Sequence, residues 1–365
     1  MVEEQAEHEV VDGLDDEALA IPVGRRLSSS TAKICAWTVE ALGIGVGNPV
    51  SLGVYRVTGT AEDEGSVRPW SLVLKVAQSP ANVGMTNMGE GPDESHWNYW
   101  RREPLLFASG LLDDLPAGFV APRFYGWSER PGNRSWLWLE DVADSRTDWS
   151  PERYELAAFH LGRFNGAYLA KRDLPAYRWL SRRAARQVIE GTLPVLPSIE
   201  DRVPGIRDHP VMRFMRSAAP ILDAFEGLPQ TFCHLDATHD NLMRRRGPMG
   251  VEETIAIDWA LAGISPVGAD LSLLLVDDLS TTGFGVVDNE SALFHSYCDG
   301  LRDAGWDGDP DLVRFGYLAF LVCRLSVFLL YMLWLDLERG ARPAVADTPL
   351  ATLIPFIEQL QRVIP

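Results

Sequence analysis

Phe232-Cys233-His234-Leu235-Asp236-Ala237-Thr238-His239-Asp240-Asn241-Leu242-Met243 is the stretch on which the reading of this chain turns, joined downstream by Thr254-Ile255-Ala256-Ile257-Asp258-Trp259. The polar residues of the first segment fall as H-x-D-x-x-x-x-N on His234, Asp236 and Asn241, and Asp258 closes the apolar run of the second. Leu242 and Met243, the turn Gly247-Pro248-Met249-Gly250 and the run from Ile255 to Ile257 predict a hairpin carrying Asn241 at one end and Asp258 at the other. Two oxygen ligands then face one small space.

This is the catalytic-loop grammar of phosphoryl transfer. Magnesium prefers oxygen ligands and keeps part of its water shell, so a carboxylate and an amide beside a nucleoside triphosphate suffice to hold it. Asn241 and Asp258 are the candidate metal ligands. Asp236 is the candidate catalytic residue, placed to accept a hydrogen bond from an attacking hydroxyl and to take its proton late in transfer. His234 is assigned to supporting the loop.

The segments HLDATHDNLM and TIAIDW resemble the aminoglycoside phosphotransferase and choline kinase-like family of small-molecule kinases. The usual loop of that family reads H-G-D-x-H-x-x-N, so Leu235 stands in place of a glycine and Thr238 in place of the second histidine, while Asp236, Asn241 and Asp258 match. Trp259 fits the variable position that follows the family's strand-end aspartate, where protein kinases carry Phe-Gly. The resemblance implies an α+β, protein-kinase-like two-lobed fold, with a mostly β N-terminal lobe over 1–142 and a mostly helical C-terminal lobe over 143–365. It implies transfer of the γ-phosphate of ATP, with GTP open, to a hydroxyl of a small polar acceptor such as an aminoglycoside-like or other antibiotic. A metabolic kinase acting on choline, homoserine or a sugar, and a nucleotide-binding pseudokinase, are the alternatives.

The strand predicted over Trp70 to Val76 is apolar except for Ser71 and Lys75, and a buried ammonium is costly without a partner. By the kinase pattern Lys75 binds nucleotide phosphates and is held by a helix carboxylate. Glu103, in a helical stretch expected over Ser95 to Ser109, is the candidate partner and Glu94 the alternative; Pro104 is expected to kink or break that helix. Leu139-Glu140-Asp141-Val142 resembles the family's hinge, which makes Glu140 and Val142 the positions whose backbone meets adenine.

Elsewhere the signals are local. Ser30 and Gly43 bracket an expected helix over Thr31 to Leu42, and the following glycine-bearing turn to Pro49 reads either as a phosphate cover or as an ordinary turn. Residues up to about Ile21 read as a loose acidic lead or a short helix, with no assignable chemistry. Strands are expected over Val120 to Ser128 and Ser135 to Glu140. Ser150-Pro151-Glu152 starts a helix running to Arg172, with His160 as a core histidine. Residues 174–228 read as helices broken by prolines, and Asp270 as the cap of a helix over Gly268 to Leu275.

With 365 residues, 46% hydrophobic and 23% charged, the chain can bury one large core or two adjoining lobes. Cys35, Cys233, Cys298 and Cys323 lack metal-ligand spacing and read as reduced thiols, and the acidic start lacks the basic and apolar regions of a secretion signal, so a cytoplasmic protein is expected. A formal charge of -18 disfavours nucleic acid and anionic membrane as partners and would suit a cationic acceptor, with Asp277, Asp278, Asp288 and Glu290 as its expected acidic wall. Phe315 to Leu335 is apolar enough to span a membrane, but Arg324 at its centre favours a buried helix in which that arginine meets a carboxylate or backbone carbonyls.

Overall fold

The computed structural model describes residues 13–43, 50–82, 94–143, 149–247, 250–280, 283–286, 288–341, 343–344 and 348–364, the backbone alone over 277–280 and 283–286. They form two compact units. One takes the described residues up to 82 with 100–114 and 121–143; the other takes 94–99, 115–120 and the chain from 149 onward. Short excursions of the N-terminal half thus fold with the second unit, because Trp97 N–H donates to Gln187 Oε1 and Phe119 pairs in parallel with Thr254.

The first unit begins with helix α1 (Asp16–Leu27), whose N-cap Asp15 accepts from Ala18 N–H. Its strands are β1 (Lys33–Gly43), β2 (Ser51–Asp63) and β3 (Ser66–Gln78), then the short helix α2 (Arg102–Ala108) intervenes. Counting the two-residue strand β4 (Phe119–Val120) of the second unit, the remaining strands here are β5 (Phe124–Arg130) and β6 (Arg134–Glu140). The antiparallel sheet runs β1-β2-β3-β6-β5. Strand side chains alternate between faces, so Trp70, Leu72, Leu74 and Val76 of central β3 bury with Trp136, Trp138 and the α1 residues Leu19, Val23 and Leu27, while Lys75 projects from the opposite face.

The helix expected over Thr31 to Leu42 is strand β1. A bulge lies between Ile34 and Ala36, so the half-buried residues Ile34, Trp37 and Val39 are spaced by three and then by two. That extra residue imitates the opening spacing of a helix. The described end of the acidic lead, to which the sequence assigned no chemistry, is the start of α1, which covers one face of the sheet.

In the second unit, helix α3 (Pro151–Ala170) starts where Ser150 Oγ accepts from Arg153 N–H. After β7 (Ser181–Arg182) come α4 (Ala184–Thr192), α5 (Leu196–Arg202), α6 (Pro210–Ser217) and α7 (Ala219–Glu226). Strands β8 (Gln230–Cys233), β9 (Leu242–Arg246), β10 (Glu252–Ala256) and β11 (Gly263–Pro266) build two small sheets, β4-β10-β9 and β7-β11-β8. The chain then continues through α8 (Leu271–Leu274), a hairpin of β12 (Val276–Ser280) and β13 (Gly283–Val286), α9 (Glu290–Ala304), α10 (Pro310–Glu338) and α11 (Ile354–Arg362).

Helices α3 and α9 approach until backbones touch. A Cβ on Gly162 would sit 2.0 Å from Tyr297 O, and one on Gly300 would sit 2.1 Å from Phe159 O, so only glycine fits at either crossing point. Helix α10 is long and apolar enough to cross a membrane by composition, but most of that surface is buried inside this unit.

Candidate active site

Strand β8 delivers the chain to His234 and then turns sharply. Leu235 adopts φ +65°, a left-handed conformation that costs a side-chain-bearing residue roughly 1–2 kcal/mol. The turn is held from below by Asp270, whose carboxylate accepts from His234 N–H at 3.0 Å, Leu235 N–H at 2.7 Å and the Asn165 side-chain amide at 2.9 Å. Asp270 therefore does not cap α8 with its side chain, as expected from sequence; it is spent on the loop. Burial pushes its carboxyl above the usual carboxylate range, against the lowering effect of the neighbouring His234 and of its own hydrogen bonds.

His234 is fixed as a loop support. Its Nδ1 accepts from Asp236 N–H at 3.2 Å, which leaves Nε2–H to donate to Ile257 O at 2.9 Å, and its ring meets the edge of Trp259. One imidazole thereby ties the residue bearing the candidate base to the residue before Asp258.

The predicted hairpin is β9 and β10, in register Leu242 opposite Ala256, though Pro248 and Met249 of its turn lie outside the described residues. Ile257 N–H donates to Asn241 O at 2.9 Å, so Asn241 and Asp258 flank the same end. Arg153 donates to Leu242 O and braces that end from α3. Asn241 Nδ2 donates to Asp236 O at 2.9 Å and to Asp236 Oδ2 at 3.1 Å, which turns the amide oxygen away as the side-chain atom suited to a cation. Asp258 takes φ +60°, ψ 64°. Among the described residues no group of three or more His, Cys, Asp or Glu could hold a metal. An amide oxygen and a carboxylate fit magnesium, an ion content with few protein ligands when phosphate and water supply the rest.

Asp236 keeps a quarter of its side chain exposed, and across from it lies Arg324 of α10, with Nη2 3.8 Å from Asp236 Oδ1. Arg324 also stands 5.9 Å from the centre of the Trp97 ring. Burial raises the Asp236 carboxyl above the usual range; the Arg324 charge pulls it down and Asp258 pushes it up.

In the first unit, Lys75 Nζ lies 2.7 Å from Glu103 Oε2 and 2.8 Å from Oε1, both side chains largely buried. Glu94 is exposed. The helix begins only at Arg102, so residues 95–101 are turns rather than helix. Pro104 is its third residue, where the missing N–H would have had no helical partner, so it neither kinks nor breaks α2. Glu140 N–H donates to Arg123 O and the Glu140 carboxylate accepts from Arg123 N–H, so this backbone donor is already occupied. Val142 follows in the segment after β6, past Asp141, which holds Arg56 and Ser71.

Residues 139–308 match the phosphotransferase enzyme family designated APH. The resemblance is to that family. No curated protein sequence matches the chain. Among solved structures, the GDP and kanamycin complex of APH(2")-IIIa is 13% identical, with 95% of this chain and 99% of that one covered at a TM-score of 0.52. A Ralstonia eutropha JMP134 protein assigned as an aminoglycoside phosphotransferase is 14% identical over 96% of this chain and 98% of that one, TM-score 0.52. At such identities the likeness establishes the fold, which is α+β and protein-kinase-like.

Against the family's loop, two departures now have a physical meaning. Leu235 occupies the left-handed position that glycine would take freely, and with Thr238 in place of the second histidine the imidazole that ties this loop to Ile257 O is that of His234. The residues that sequence reasoning passed over are Asn165 and Tyr297: Tyr297 OH donates to Asn165 Oδ1 at 2.7 Å, and Asn165 hands its amide hydrogens to Phe232 O and Asp270. Their only signal was a polar residue, Asn165, on the apolar stripe of α3. His160, as expected, is a core residue, hydrogen-bonded to Thr254 Oγ1 and lowered to about 4 by burial and then by Arg163. Of the expected acidic wall, Glu290 accepts from Tyr317 OH and Asp288 is exposed, while the side chains of Asp277 and Asp278 lie outside the described residues, as does the turn 44–49.

Proposed function

We propose that this protein is a small-molecule kinase that transfers the γ-phosphate of ATP or GTP to a hydroxyl of a small acceptor. The observation that carries the reading is the loop around Asp236. A carboxylate left partly open is positioned by His234, Asn241 and Asp270, with an amide oxygen and a second carboxylate at the adjoining hairpin end. The match of residues 139–308 to the phosphotransferase family supports it, and the GDP-bound structural neighbours support a nucleoside triphosphate as donor.

In this mechanism Asp236 accepts a hydrogen bond from the acceptor hydroxyl and takes its proton as the new oxygen–phosphorus bond forms and the bond to the β-phosphate oxygen breaks, giving a phosphate ester and a nucleoside diphosphate. Asn241 and Asp258 would hold magnesium, which when bound offsets phosphate charge. Lys75, kept in place by Glu103, contributes positive charge toward phosphate. The reading puts the enzyme in the cytoplasm, in keeping with four cysteines that are free thiols.

An acceptor screen with nucleotide and magnesium, read by product mass, tests the activity. Asn241→Ala and Asp258→Ala test the metal assignment: each weakens magnesium-dependent nucleotide binding, and retention of the full magnesium effect in both would place the ion elsewhere.

A further inference from the structure

A cavity in the second unit adjoins the candidate base. Its walls include Trp97, Val188, Leu235, Leu261, Phe320 and Arg324. Leu235 directly precedes Asp236, and Arg324 reaches toward the Asp236 carboxylate, so the cavity lies where an acceptor would present its hydroxyl.

The lining is apolar apart from one guanidinium. Among the described residues that line it none is acidic, and the adjoining carboxylate of Asp236, with Asp258 near it, already faces Arg324. An ammonium group entering here would give up its water to an apolar wall, would compete with Arg324 for the Asp236 carboxylate and would be repelled by that guanidinium. An apolar body gains from the same burial. The guanidinium offers fixed donors to an oxygen acceptor or an anion. The net charge of -18 draws cations toward the molecule at long range, but it is the lining that selects what stays.

Leu235 is the second, independent observation. A left-handed backbone position is adopted freely by glycine, and here it carries a leucine with 2% of its surface exposed. Asp270 holds this strained position by accepting from Leu235 N–H at 2.7 Å, and the side chain so placed walls the cavity beside Asp236.

Resting on the kinase reading above, we infer that the acceptor is an alcohol with an apolar body, without positive charge near its reacting hydroxyl, and with an oxygen acceptor or anion facing Arg324. This reverses the cationic acceptor expected from net charge.

Three probes of one shape test it: 4-(hydroxymethyl)benzoate, benzyl alcohol and 4-(aminomethyl)benzyl alcohol, titrated calorimetrically into the full chain with nucleotide and magnesium saturating. The benzoate is expected to bind at least about tenfold more tightly than the amine, with the neutral alcohol between them. Arg324→Met removes the advantage of the benzoate over benzyl alcohol while benzyl alcohol still binds. Ala184→Phe, which fills the cavity from another wall, weakens all three and gives an answer even where Arg324→Met fails to fold. Tighter or equal binding of the amine, or no binding of any probe at millimolar concentration, overturns the inference. The kinase reading is judged separately, by magnesium-dependent nucleotide binding and product mass, so a reversed probe order with transfer intact sinks only the acceptor class.

Discussion

Glu103 grips Lys75 with both carboxylate oxygens at 2.7 and 2.8 Å, whereas Asp236 and Arg324 face one another with a closest approach of 3.8 Å. The Lys75–Glu103 pair lies on the face of the five-stranded sheet opposite α1, where a central-strand ammonium has to be neutralised to be buried. The Asp236–Arg324 pair lies on a loop whose backbone, not its carboxylate, carries the anchoring bonds to His234 and Asp270. One carboxylate is consumed in holding a lysine. The other is stabilised at a distance and left with an oxygen to offer a substrate.

The contrast is sharpened first by Lys75→Met, which takes the lysine away from a largely buried Glu103 carboxylate. A loss of about 3–5 kcal/mol in folding stability is expected, from denaturant titration, with much of it recovered in Lys75→Met/Glu103→Leu. A loss near zero would mean the pair is not buried in solution.

His160 serves as a control for burial without an ion pair. Its folded value of about 4 lies below the ordinary 6.5, so the unfolded chain binds the extra proton first, and stability is lost as pH falls from about 6.5 toward 4. At 1.36 kcal/mol per unit this amounts to about 3 kcal/mol, and His160→Gln should flatten that part of the stability–pH curve. An unchanged curve would show that other groups carry the dependence.

The smallest effect is expected where the pair is loosest. A double-mutant cycle on folding stability with Asp236→Asn and Arg324→Met should give a coupling under about 1 kcal/mol, as for partly exposed ion pairs. A coupling as large as that of Lys75 with Glu103 would erase the distinction between the two regions.

Much of this was legible beforehand because it was local. The H-x-D-x-x-x-x-N spacing, the hairpin and the lysine inside an apolar strand are patterns of neighbouring residues, and β9, β10, β3 and α3 follow them closely. What could not be read depends on contacts far along the chain. Arg324 faces a residue 88 positions earlier (324 − 236), and Asn165 meets Tyr297 across the glycine-lined approach of α3 and α9. Strand β1 was misread because a bulge hid its alternation.

The most direct test of the central claim is the rate of phosphorylated-product formation in Asp236→Asn beside wild type, with an accepted acceptor and saturating nucleotide and magnesium. Asparagine keeps the shape of the side chain and removes its capacity to take the proton. Transfer is predicted to fall by about a hundred- to ten-thousand-fold while nucleotide affinity is retained. Transfer at the wild-type rate in that variant would contradict the account.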